Sequence, residues 1–296
     1  MTGVRVGLVC SRVRVEEKLL LAALADRPGV EVVRVDDDQL QAVLAGPGDG
    51  PAGEDALRAC DVVLLRSLSH SRQVALAHLL QAWGVPSLNR AAVLETCGDK
   101  VRTTLALALA GVPTPPARVA FTVESALEAV EALGYPCVVK PTTGSWGRLV
   151  SRLTDRDGAE AVLEHKAVLG GPQDRIFYLQ AHVDKPGRDL RAFVIADRTV
   201  AVIARRSAHW VTNTARGAVA EAVAVTPELD ALCRRAAAAV GGGALAVDLL
   251  EGPDGLLVNE VNATMEFRNS VGPTGVDIPG LLVAQALALV EARRCV

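Results

Sequence analysis

Two apolar segments near the C-terminus, Ala246-Val247-Asp248-Leu249-Leu250 and Leu257-Val258-Asn259-Glu260-Val261-Asn262, flank the turn residues Gly252-Pro253-Asp254-Gly255. Acids and amides stand in them where a core strand carries aliphatics. The pattern predicts an antiparallel hairpin. Residues two apart on a strand point to one face, so Glu260 and Asn262 share a face. With Asp248 opposite residue 258 or 260, its carboxylate emerges on that face as well. Three hard oxygen donors then converge, the kind Mg²⁺ takes alongside phosphate and water. The plain alternative is a polar face on an edge hairpin.

The rest of the chain places this hairpin in an α/β and α+β architecture. Residues 4–10, 30–35, 60–67 and 85–88 read as strands alternating with helical stretches at 16–24 and 73–83, which predicts a doubly wound parallel first lobe over 1–89. A second unit, 90–183, holds one long helix at 91–110, strands at 117–121, 137–139, 149–153 and 177–183, and helices at 125–133 and 159–166. The third, 184–296, holds a hairpin 189–195/199–206, a helix 227–240, the C-terminal hairpin and a last helix 279–293.

Composition narrows the function. With 296 residues, half of them hydrophobic, the chain can bury a large core. No apolar run reaches the roughly 18 residues that span a bilayer. Residues 1–10 contain Arg5, and Arg12 and Arg14 follow where a leader would carry small residues, so a buried first strand is expected. The six cysteines are scattered and form no CxxC pair, which fits thiols in a reducing cytoplasm. A net charge of −3 carries no nucleic-acid signature. Of 31 basic side chains only five are lysines (18, 100, 140, 166 and 185), so a lysine in an unusual context stands out.

Lys140 is one: it ends the apolar strand 137–139, where its ammonium needs an anion. The following loop, Pro141 to Arg148, joins two strands and not a strand and a helix, which excludes a Walker loop and a Rossmann fingerprint. Its glycines still let backbone N–H groups approach phosphate oxygens. Lys100 begins an Ala- and Leu-rich helix, where phosphate binding and plain solvation are equally open readings. Alternating charges at 188–191 and 205–206 suit neutralisation of phosphates if they gather, and solvent-facing positions if they do not. His209, Trp210, Asn213, Thr214 and Arg216 form a donor-rich segment; His70 and His78 read as surface histidines. No Ser/His/Asp or Cys/His arrangement suggests a protein nucleophile.

The stretches KPTTGSWGRLV (140–150), KPGRDLR (185–191), RRSAHWVTNTARG (205–217) and LLVNEVNATMEFRNSVGPTGVDIPG (256–280) resemble the ATP-grasp superfamily, and the likeness runs over essentially the whole chain. Within it the chain is similar to RimK-like ligases of the LysX type, which join α-aminoadipate to a small acidic amino-group carrier protein (LysW) in lysine biosynthesis. The resemblance implies that Lys100 and Lys140 contact ATP phosphates, with Gly144, Ser145, Trp146, Gly147 and Arg148 closing over them. It places adenine at Gln180, Ala181, His182 and Val183, and Asp189 on the ribose side. Arg205, Asn213 and Lys140 would be the catalytic groups at the transferring phosphate. Asp248, Glu260 and Asn262 would hold two Mg²⁺ ions, or Mn²⁺, with Glu260 bridging. Arg206, Ser207, Asn213, Thr214, Met265, Glu266, Phe267, Asn269 and Ser270 would surround the amino acid. Asn269-Ser270 matches the dipeptide associated with aminoadipate, where glutamate-selecting relatives carry Gly-aromatic.

The implied chemistry is attack of the γ-carboxylate of the carrier's C-terminal glutamate on the γ-phosphate of ATP, then capture of the acyl phosphate by the amine. An acidic carrier calls for a local basic surface, expected at Arg12, Arg14, Arg66, Arg72 and Lys185. The resemblance further implies a cytoplasmic homo-oligomer that engages neither nucleic acid nor membrane. Open alternatives are glutamate as the amine, as in arginine, ornithine or secondary metabolism; a ligase adding glutamate to another protein tail; a D-alanine–D-alanine-like ligase; and a non-catalytic nucleotide-binding protein on the same fold.

Overall fold

The computed structural model describes residues 3–45, 50, 52–144, 147–212 and 217–295, and among them three sheets follow one another along the chain. The first is parallel: β1 (Val4–Val9), β2 (Val30–Val35), β3 (Val62–Leu65) and β4 (Ser87–Leu88) lie in the order β2-β1-β3-β4, linked through helices α1 (Val15–Ala25), α2 (Ala52–Arg58) and α3 (His70–Ala82). Every residue of β3 is buried, as in strands covered on both faces. Strand order reverses at β1, so the chain leaving the C-terminal ends of β1 and β3 flanks the crevice where open α/β sheets take ligands.

The expected single helix over 91–110 is two helices, α4 (Ala91–Gly98) and α5 (Lys100–Leu109). Asp99 separates them and caps α5, its Oδ1 accepting from the N–H groups of Val101 (2.8 Å) and Arg102 (3.1 Å). Lys100 therefore opens α5, at the helix start its sequence context indicates.

The second sheet is antiparallel, ordered β5-β8-β6-β7 from β5 (Ala117–Ala120), β6 (Cys137–Lys140), β7 (Ser151–Leu153) and β8 (Phe177–Ala181). Helices α6 (Val123–Leu133) and α7 (Arg156–Leu169) cover it, and their apolar residues form a core cluster of its own with β6 and β8. The loop 141–150 links β6 to β7 antiparallel, as the sequence indicates. The third sheet runs β11-β10-β9-β12-β13, from β9 (Arg188–Ile195), β10 (Arg198–Arg206), β11 (Val219–Val223), β12 (Leu245–Gly252) and β13 (Gly255–Asn262). Helix α8 (Pro227–Ala239) joins α5 in the core on one face. The other face shares a core with the parallel lobe, where Val6 and Leu8 join Phe193, Met265 and Phe267 and the helix α10 (Ile278–Arg294). Neither β11 nor α9 (Arg268–Thr274) was expected; α9 contains Gly272 and Pro273, residues that disfavour a helix interior.

Asn89 ties the lobes together. Its buried amide donates to the carbonyls of Ala244 (2.7 Å) and Ala263 (2.6 Å) and accepts from Ala244 N–H (2.8 Å). Gly243 makes room for it, since a Cβ there stands 2.2 Å from Asn89 Oδ1. Among the described residues, no single helix is long and apolar enough to cross a membrane.

Candidate active site

A cleft of about 1130 Å³ opens where the three sheets meet. The parallel lobe lends Arg14 and Ser67, the second sheet Lys140 and Gln180, and the third Asp189, Arg191, Arg205, Asp248, Glu260 and Asn262. The hairpin β12–β13 has the expected register, with Asp248 directly opposite Glu260. Asn262 lies two residues on and donates from Nδ2 toward Asp248 Oδ2 at 3.5 Å. The pairing shifts between Asp248 and Leu249, because Leu249 faces Val258 and leaves Asn259 as the extra residue. Such a bulge re-aims a side chain. Asn259, which strict alternation turns away from Glu260, accepts a hydrogen bond from Lys140 Nζ at 3.0 Å.

Arginines dominate one end of the cleft. Arg191 grips Asp248 with two bonds, Nε–Oδ1 at 2.7 Å and Nη2–Oδ2 at 2.8 Å. Arg205 grips Asp189 at 2.6 and 2.9 Å and reaches Asp248 Oδ2 at 3.3 Å. Thr212 donates to Asp189 Oδ2 at 2.5 Å and takes a bond from Lys185 Nζ at 2.6 Å. Burial alone raises the pKa of Asp248, but the Arg191 and Arg205 guanidiniums outweigh it and hold the carboxyl well below the usual range. Burial depresses the pKa of Arg205, and the Asp248 and Asp189 charges more than restore it. Both shifts favour the charged forms of Asp248 and Arg205.

Two lysines stand by the neighbouring strand, around Glu260 and Asn259. Lys140 Nζ donates to Gln180 Oε1 at 2.6 Å as well as to Asn259. Burial, with the nearby Lys100 and Lys185 cations, lowers its pKa to about 8 against the pull of Glu260 and Asp248. Lys100 Nζ stands 3.5 Å from Glu260 Oε1 and 3.3 Å from the Gly144 carbonyl. The ammonium at the end of β6 thus has amide oxygens as direct partners and a carboxylate close by, an arrangement suited to receiving an anion.

Gly144, Gly147, Arg148, Ala181, His182 and Val183 all line the cleft. Ser145, Trp146, Asn213 and Thr214 lie outside the described residues. Gln180 presents its amide to Lys140 and to Tyr178 OH (3.2 Å). Asp189 is engaged with Arg205 and Thr212. Glu266, Asn269 and Ser270 gather with Arg191, Arg205 and Arg268 around a second cavity of about 10 Å³, while Met265 and Phe267 are buried between the lobes. Arg206 lies elsewhere: it is half-exposed and pairs with Glu221 at 2.8 Å. Ser207 lines neither cavity; its N–H meets the Gly187 carbonyl at 3.2 Å.

Three residues expected on a carrier-facing surface point inward: Arg14 lines the cleft, bonded to Glu17 and Glu266. Arg66 is buried and bonded to Glu17 (3.0 Å) and the Met265 carbonyl (2.8 Å). Lys185 lines the cleft, bonded to Thr212 and 3.8 Å from Asp189. Of the alternating charges at 188–191, Asp189 and Arg191 do gather at the cleft, sharing one strand face. The rarity of lysine pointed to Lys185 as it did to Lys100 and Lys140.

Asp248, Glu260 and Asn262 fit a divalent cation by donor chemistry, being hard oxygens brought to one face by the hairpin register. Among the described residues no group of three or more His, Cys, Asp or Glu side chains converges. A cation held here therefore draws on two carboxylates, an amide and its other ligands, the sparse protein set typical of Mg²⁺ with phosphate.

Comparison with known proteins places these features. Residues 97–286 match the RimK-like ATP-grasp domain, and residues 6–96 match the LysX preATP-grasp domain. The alpha-aminoadipate–LysW ligase LysX of Saccharolobus solfataricus is 36% identical over 78% of this chain and 85% of its own length. The glutamate–LysW ligase ArgX of Sulfurisphaera tokodaii is 31% identical over 94% of this chain and 96% of its own. The crystal structure of a RimK domain ATP-grasp protein from Sphaerobacter thermophilus superposes with a TM-score of 0.79 at 32% identity, covering 96% of this chain and 99% of that one.

Proposed function

This chain belongs to the RimK-like ATP-grasp family of ligases, and from that premise we propose that it joins the amino group of α-aminoadipate to the γ-carboxylate of the C-terminal glutamate of a small acidic LysW-like carrier protein. The carboxylate oxygen attacks the γ-phosphorus of ATP and ADP leaves. The amine nitrogen then attacks the acyl carbon, inorganic phosphate departs, and the nitrogen loses a proton to become an amide. The observation that carries the reading is the opposition of Asp248 and Glu260 beneath Lys140, with Arg205 anchored beside them, in one cleft shared by three lobes.

Each group has a physical task. Lys140 and Lys100 meet the phosphate oxygens as point charges, and Lys140 exchanges its amide partners for them. Arg205 and Arg191 present fixed positive charge where negative charge is transferred, without reorganisation at the moment of reaction. Asp248, Glu260 and Asn262 would hold Mg²⁺, which screens the phosphate charge and polarises the transferring group. The loop 141–150 would exclude water from an acyl phosphate that water destroys. Asn269 and Ser270, beside Arg191, Arg205 and Glu266, which also line the main cleft, would recognise the amino acid; the second cavity itself has room for about one water.

A second amine has a specific observation in its favour, because ArgX relatives align over more of this chain than LysX relatives do. Glutamate differs from aminoadipate by one methylene, a difference worth about 1–3 kcal/mol in a shaped pocket. Mass spectrometry of the carrier after incubation with enzyme, ATP, Mg²⁺ and either amino acid decides between them. An aminoadipyl adduct formed in preference to a glutamyl one is expected; a glutamyl adduct alone reassigns the amine, and an unmodified carrier with both overturns the reading.

A further inference from the structure

The first turn of α1 reaches across the lobe boundary with three charged side chains. Arg14 bonds Glu17 through Nε (3.0 Å) and Nη2 (3.1 Å), and its Nη1 bonds Glu266 at 2.8 Å. Glu17, with 0% of its side chain exposed, also accepts from Arg66 Nε at 3.0 Å. Arg66 passes a second bond to the Met265 carbonyl at 2.8 Å and holds its guanidinium 5.8 Å from the Phe267 ring centre. Glu16, equally buried, faces Arg268 Nε at 3.8 Å. Four consecutive residues, 265 to 268, are thus each held from the parallel lobe, and they lead directly into Asn269 and Ser270.

Adhesion between the lobes does not need these contacts. Val6 and Leu8 already share an apolar core with Phe193, Met265 and Phe267. Burying two carboxylates costs several kcal/mol that such a core avoids. What a guanidinium network adds is direction: bonds at fixed angles to one carbonyl and one carboxylate set where a backbone segment stands. Burial pushes Glu17 toward neutrality, and its bonds to Arg14 and Arg66 overcome this, so it stays ionised.

We propose that Glu17, acting through Arg14 and Arg66, is a positioning residue for the amine side of the site. It fixes the Glu266 carboxylate and the 265–268 backbone, so the parallel lobe sets amino-acid selection through a segment it does not itself contain. This rests on the reading of residues 266–270 as the amine pocket.

Arg14→Gln and Glu17→Gln test it in the complete ligation assay. Loss of one charge-assisted bond is worth about 1.5–3 kcal/mol, so the KM for the amino acid should rise about tenfold or more. The KM for ATP should stay within about twofold, and the preference between aminoadipate and glutamate should shrink. Arg14→Lys, which keeps one charged contact to Glu266, should recover part of the loss. A matching rise in both KM values, or a lower melting temperature with both KM values unchanged, would overturn the proposal. Hydrogen exchange supplies a readout independent of chemistry: residues 264–271 should exchange faster in Arg14→Gln while α8 and β12 keep their rates, and unchanged exchange there counts against it. If Glu17→Gln fails to fold, Arg14→Gln still breaks the link to Glu266 and leaves the buried Glu17–Arg66 pair in place. If the wild type ligates neither amino acid, the functional reading falls, and the positioning of residues 265–268 by Arg14 and Glu17 stands or falls on the exchange data.

Discussion

At one end of the cleft Arg191 and Arg205 clasp Asp248 and Asp189 through paired bonds of 2.6–2.9 Å. At the other, Lys100 meets Glu260 at 3.5 Å and Lys140 meets two amide oxygens through a single nitrogen. A guanidinium fork fixes plane and distance together, whereas an ammonium on a flexible stem keeps its charge while shifting its partner. The arginine pairs are fixed by the protein's own bonds. The lysine end is left adjustable, which suits phosphates that must enter, react and leave.

The sharpest way to break this contrast is Asp248→Asn. It removes the charge shared by two guanidiniums and one expected cation ligand, so kcat should fall by about a thousandfold or more. Arg191 would lose its carboxylate partner while Arg205 keeps Asp189, so a loss of about 3 kcal/mol is expected, read as a lower melting temperature. A variant ligating within about tenfold of wild type would separate this end of the cleft from the reaction. Arg205→Lys comes next. An ammonium cannot make the paired grip on Asp189, so kcat should drop about a hundredfold with the KM for ATP nearly unchanged, as measured by ADP release.

The lysine end should answer differently. Lys140→Gln should raise the KM for ATP about ten- to a hundredfold, a charged bond's worth, and change kcat less. Its folded pKa is lowered to about 8, so the free enzyme carries this cation below that pH and loses it as pH rises through that value. ATP affinity should therefore weaken from pH 7.5 to 9, and Lys140→Gln should flatten that limb of the profile. Gly147→Ala is the mildest test. Gly147 has φ of +62° in the loop over the cleft, and an alanine there is strained by about 1–2 kcal/mol. A few-fold slower turnover with little change in overall stability is the expected result.

How far the sequence revealed this arrangement depends on what kind of signal each residue gave. Asp248, Glu260 and Asn262 were legible because polar groups interrupt apolar strands beside an unmistakable turn, and strand parity does the rest. Asn259 was not legible, because a bulge depends on pairing with a particular partner strand and leaves no mark in a single strand's alternation. The helix break at Asp99 had its signal in Gly98-Asp99, which the strong helical periodicity on either side concealed. Arg66 and Lys185 were expected on a basic surface facing an acidic carrier; their inward placement depends on carboxylate partners, Glu17 and Asp189, that a count of basic residues does not reveal. Neither α9 nor β11 could be read, since one contains Pro273 and the other is short and alternates weakly.

The second sheet keeps its own apolar cluster, while the parallel lobe and the third sheet share theirs. Hydrogen bonds span the divide: Thr104 to Tyr178 OH at 2.8 Å, Lys100 N–H to the Thr142 carbonyl at 2.9 Å, and Lys140 to Asn259 at 3.0 Å. Mechanically the enzyme is then a jaw and a base, two bodies in place of three, latched by contacts that water or an incoming anion can replace at little cost. The boundary between jaw and base is thus polar at these contacts, and one of its bonds belongs to Lys140, the group set against the phosphates in the proposed reaction.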